Sequence, residues 1–163
     1  MRSFGLFVVA VLTAVLFAYP ATANAASVVA TINGGGTANM DDGMGVSTFG
    51  MGVKLLSNHS AVGHFDCVDH HGDAPGYAGN IFGEVTSWEG DLDGGPVTLH
   101  ITGKFVSIPG GLVDRNAQFT VTIQQFGGAG VGHWTLSVPD GAGGEFTVCF
   151  ETLLSGQIVM RRS

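Results

Sequence analysis

The chain has 163 residues, of which 27 are Gly, only 5 are Pro and only 6 are Lys or Arg. Glycine without a three-residue period and with so little Pro excludes a collagen-like chain, and 45% hydrophobic residues, with 11 Phe, exclude a disordered linker. The formal net charge of −7, with no Lys or Arg cluster, argues against nucleic acid and anionic lipid as partners and disfavours acidic substrates.

The first residues read as an address. Arg2 precedes an uncharged apolar run from Phe4 to Ala18. Tyr19-Pro20 breaks it, and the small residues Ala21 to Ala26 offer a signal-peptidase site near Ala25 or Ala26. The run is shorter than the ~20 residues that span hydrocarbon. No Cys follows it closely enough for a lipid anchor, since the first is Cys67. Residues 1–26 are therefore expected to be a secretory signal peptide, and residues 27–163 a single secreted or periplasmic domain with no membrane attachment after cleavage.

Beyond residue 26 the recurrent pattern is alternation, the signature of half-buried strands. In chain order the expected strands are Ser27–Asn33, Thr48–Leu56, Ala61–His70, Gly79–Trp88 and Val97–Val106. Gln118–Gln125, His133–Val138, Phe146–Glu151 and Gly156–Arg161 follow. Alternation places Val97, Leu99, Ile101 and Phe105 inside. It does the same for Phe119, Val121 and Ile123, for Trp134, Leu136 and Val138, and for Phe146, Val148 and Phe150. Turn chemistry falls between these runs at Gly34-Gly35-Gly36, Asp41-Asp42-Gly43, Asp91 to Gly95, Pro109-Gly110-Gly111, Gly127-Gly128 and Asp140-Gly141. Gly50, Gly52, Gly83 and Gly103 fall inside strands, where glycine marks a bulge, a bend or a close backbone approach. About nine strands in one domain predict an all-β fold, a single antiparallel β-sandwich or alternatively a small β-barrel.

The order of several short motifs resembles small secreted bacterial β domains of the post-COAP type. They are Gly34 to Thr37, Ser47 to Met51, Gly63 to Asp69, Ile101-Thr102-Gly103, Phe119 to Gln125 and Leu154 to Ile158. The resemblance covers nearly all of residues 27–163. It implies an all-β fold and carries over no catalytic residue. Where such domains have an acid in the turn before the penultimate strands, this chain has Gly127-Gly128-Ala129-Gly130.

Two Cys in an exported chain predict one disulfide, Cys67 to Cys149. The competing reading is two reduced Cys packed as small hydrophobes. Alternation puts Cys67 on the face of Phe65 but Cys149 on the outward side of its strand, and a bulge would be needed to reconcile them.

Two clusters suggest cations. On one strand His64, Asp66 and His70 share a face, with His71 and Asp73 in the turn beyond, a density of imidazole and carboxylate that suits Zn or Cu. The plainer reading is a polar solvated face, since no defined ligand spacing is matched. Glu89, Asp91 and Asp93 followed by Gly94 begin like a Ca loop, but the twelfth position is His100 and no helix flanks it. A soluble hairpin turn is the plainer reading there too.

Catalytic motifs are lacking: there is no Gly-x-Ser-x-Gly elbow, no His-Glu-x-x-His and no Gly-rich loop feeding a Lys. Trp88, Trp134 and Tyr77 suggest a sugar-stacking platform, with the core as the better place for the two Trp. The expectation is a non-catalytic secreted module with a structural, adhesive or interaction role and a protein or glycan partner, without a cofactor. The alternative is a metal-binding protein or metalloenzyme built on residues 59–73.

Overall fold

A computed structural model describes residues 25–40, 45–70, 79–107, 111 and 113–163. The expected signal peptide (apart from Ala25 and Ala26), the Asp41-Asp42-Gly43 turn, His71, Asp73 and Tyr77 lie outside the described residues. Ten strands follow one another: β1 (Val28–Met40), β2 (Val46–Leu56), β3 (Ala61–Asp69), β4 (Gly79–Gly90), β5 (Val97–Ser107), β6 (Val113–Gln125), β7 (Gly127–Gly128), β8 (His133–Pro139), β9 (Glu145–Leu153) and β10 (Gln157–Arg162).

They form one antiparallel sheet in which β2, β3, β4, β5, β6, β8 and β9 are neighbours in that order. β1 pairs with β2 along one edge and with β9 and β10 along the other, so the sheet closes on itself. The all-β, antiparallel expectation holds, and closure makes the barrel the form adopted. β7 and β8 keep a single register along β10 and β9, with Gly128 opposite Gln157 and His133 opposite Thr152. β9 and β10 likewise run on along β1 with a one-residue slip, so the ten strands make eight staves.

That slip corrects one expectation. Gly34-Gly35-Gly36 is not a turn; it lies within β1, paired to β2, and Gly34 and Gly35 also pair with β10. Opposite it, the carbonyl of Thr37 accepts from both Leu154 N–H (2.8 Å) and Ser155 N–H (3.1 Å), the mark of a bulge. Gly156 sits there at φ 80°, and a Cβ on it would lie 1.9 Å from the Gly35 carbonyl oxygen. The glycines let two backbones touch where other residues would hold them apart. Gly83 and Gly103 do the same on the far side: they face each other across β4 and β5, and a Cβ on Gly103 would lie 2.1 Å from the Phe82 carbonyl oxygen. Gly127-Gly128, also expected as a turn, forms β7.

A second bulge inverts β9. Leu136 faces Cys149 but Ser137 faces Thr147, so Val148 is the extra residue. From there on the phase is opposite to the one expected. Phe150 points outward, 52% exposed, while Cys149, Glu151 and Leu153 point inward; Phe146, before the bulge and opposite Val138, keeps its expected phase but is 45% exposed.

The barrel is filled unevenly. Ile32, Leu55, Val97, Leu99, Ile123 and Ile158 plug one half, all fully buried. Trp134 packs above them against Phe49 (5.6 Å between ring centroids) and Phe65 (5.4 Å). The outer face carries Lys54, His64, Asp66, Glu84 and Thr102, the reverse of the apolar-out pattern of a membrane barrel. Among the described residues no helix is long and apolar enough to cross a membrane.

Candidate functional site

Among the described residues the other half of the barrel is hollow. It is the end reached by the connections from β1 to β2, β3 to β4, β5 to β6 and β8 to β9. The cavity holds about 360 Å³, close to a dozen water volumes at roughly 30 Å³ each. Small side chains make the space. Ala117 and Gly79 line it where the plugged half has Ile, Leu and Trp, and a Cβ on Gly79 would collide with the Phe105 ring. Its walls are apolar, from Met40, Ile81, Phe105, Phe119, Leu136 and Val138.

Cys67, Cys149 and Glu151 line the deep part of this cavity, and Asp69, Asp114 and Gln118 also contribute to it. Glu151 is fully buried, placed between Met40 of β1 and Trp134 of β8 by the strand register. Asp114 is exposed, and its carboxylate accepts the Asn116 N–H at 2.9 Å.

The expected disulfide is not formed: Cys67 and Cys149 are free, buried thiols. They belong to separate parts of the ring. Cys67 pairs with Phe49 and Ile81 within β2–β3–β4, and Cys149 pairs with Leu136 within β8–β9. Burial pushes the Cys67 thiol up to about 12, helped by the Glu151 carboxyl, while the nearby Ser47 hydroxyl opposes the rise. Cys149 is raised too, first by burial and then by Glu151. Thiols in that state stay protonated and are poor nucleophiles. They act here as neutral lining.

The other candidate residues are outside the barrel. His64 and Asp66 share the outer face of β3, where His64 lies opposite Glu84 and Asp66 opposite Phe82. His70 lies past the end of β3, its ring bonded to the Thr48 hydroxyl. A strand rises about 3.3 Å per residue, which puts His70 roughly 20 Å from His64. Among the described residues no group of three His, Cys, Asp or Glu converges as a metal site. In the β4–β5 turn, the Asp91 carboxylate accepts the Asp93 N–H at 2.7 Å and Arg162 pairs with Asp93. Glu89 lies 3.7 Å from the His100 ring. These carboxylates are engaged in holding the turn and its neighbours.

Trp134 is fully buried, and Trp88 is nearly so, donating from Nε1 to the Leu56 carbonyl at 2.9 Å while stacking on His59. Both are core residues.

Sequence reasoning missed Glu151 as a site residue because the expected phase of β9 turned it outward. The inward series Cys149, Glu151, Leu153 was a weak counter-signal beside the stronger Phe146, Val148, Phe150. No family model, no curated protein and no solved structure matches the chain.

Proposed function

We propose that this chain is an exported, non-catalytic binding module whose barrel takes up a small apolar molecule. The expected interaction role, and the likeness to secreted post-COAP-type domains, are part of this proposal. The observation that carries it is the 360 Å³ cavity with apolar walls and a few polar groups. Ligand pockets have that size and that mixture. An eight-stave barrel is also wide enough to enclose one small ligand when its side chains do not fill it.

The test is calorimetric titration of the mature protein with 1-octanol, a neutral chain that fits the volume. Saturable one-to-one binding is expected. Ala117→Phe, which fills the cavity from β6, abolishes it while circular dichroism keeps the strand signal. Absence of saturable binding, or equal binding to the filled variant, rejects the reading.

A further inference from the structure

We propose that the outer face of β3, β4 and β5 is a dimer interface, and that its occupant is a second copy of this chain. The inference is independent of the cavity inside the barrel.

A shallow groove of about 420 Å³ crosses that face, with the bare backbone of Gly83 and Gly103 in its lining. The strand register orders the charges around it. Asp66 of β3 lies opposite Phe82 of β4, and Phe82 lies opposite Lys104 of β5. Neighbouring strands are about 4.8 Å apart, so the backbones of the acid and the base are roughly 10 Å apart with the aromatic residue between them. In the adjoining row Glu84 lies between His64 and Thr102. Arg115, near the start of β6, extends the basic side beyond Lys104. The groove therefore has an acidic side on β3 and β4 and a basic side on β5 and β6. Among the described residues, Asp66, Glu84, Lys104 and Arg115 form no ion pair with one another.

Cations are scarce in this chain. It has six Lys and Arg, and one of them is Arg2, so two of the five beyond residue 26 meet at this groove. A partner of a single sign is attracted by one side and repelled by the other. A second copy carries both charges. A two-fold axis lying in the plane of contact sets the acidic side of each copy on the basic side of the other, the self-complementarity that an isologous contact requires. Two chains of net charge −7 repel each other, and this face offsets that repulsion locally. Phe82 is 42% exposed at the centre of the patch, and an aromatic residue inside a polar rim is the anatomy of a protein–protein contact.

The experiment is sedimentation velocity on the mature protein at pH 7. A dimer is expected, and raising NaCl from about 0.05 M to about 0.5 M is expected to weaken it about tenfold, because salt screens the paired charges. Two double variants reverse one side each. Asp66→Lys with Glu84→Lys makes the groove wholly basic, and Lys104→Glu with Arg115→Glu makes it wholly acidic. Each is expected to be monomeric alone, with its strand signal kept in circular dichroism. Their equimolar mixture is expected to form the heterodimer, which native mass spectrometry identifies by mass. A monomeric unmodified protein, or a dimer indifferent to salt, overturns the inference whether or not the variants fold. So does a dimer that either folded variant retains alone, or a mixture of the two folded variants that stays monomeric.

Discussion

Glu151 stands directly opposite Trp134 across the β8–β9 ladder, and neither side chain has any exposure to solvent. A carboxyl has been placed against the largest aromatic residue of the core, at the boundary between the filled and the hollow halves of the barrel.

The two thiols give stability an alkaline limit. Both are raised in the folded state above the ordinary thiol value of 9.0, Cys67 to about 12. The folded protein keeps these protons when the unfolded chain gives them up. Their contribution is thus fully present below pH 9 and is lost as pH rises through the interval to about 12. Each thiol costs up to about 1.4 kcal/mol per pH unit there. Denaturation midpoints at pH 8 and pH 10.5 are expected to differ less in the Cys67→Ala, Cys149→Ala double variant. An equal fall in both proteins would exclude the thiols as the cause.

Because the thiols are free and buried, iodoacetamide at pH 8 is expected to leave the folded protein unmodified and to add two labels after denaturation without reductant. Intact mass spectrometry counts the labels. A product with no label under denaturing conditions would reveal a disulfide.

The bulge that joins β9 to β10 predicts an ordering among glycines. Gly156→Ala must accommodate both a positive φ and a Cβ that would lie 1.9 Å from the Gly35 carbonyl oxygen, whereas a Cβ on Gly94 meets nothing within 4 Å. Gly94→Ala is expected to cost about 1 kcal/mol, the strain of its backbone alone. Gly156→Ala is expected to cost about 3 kcal/mol or more, with backbone collision added to that strain. Thermal denaturation of the pair checks the order, and equal losses would show that closure of β1 on β10 tolerates a wider gap.

The staves of β5, β6 and β8 were legible because each turns an alternating apolar face inward. Leu99, Val121 and Trp134 recur with period two among Thr, His and Gln, and the strands formed where that alternation ran. The Asp91 and Asp140 turns were legible for a similar reason, since Asp and Gly close hairpins through local hydrogen bonds. Gly34 to Gly36 misled because an isolated glycine run has the same composition in a turn and at a tight strand crossing. What distinguishes the two is the backbone of Ser155 and Gly156, more than a hundred residues away.

The sequence by itself determined an all-β chain of alternating strands with polar outer positions, because alternation and turn chemistry act over neighbouring residues. Only the tertiary structure decided that the sheet closes, that one half is hollow, and that Cys67 and Cys149 face inward without a bond. It also decided the place of Glu151. One extra residue at Val148 reverses the phase of everything after it, and the position of that bulge is set by pairing with β8. A period-two pattern is blind to such an insertion, so the buried carboxyl that borders the cavity became visible only when the strands were paired.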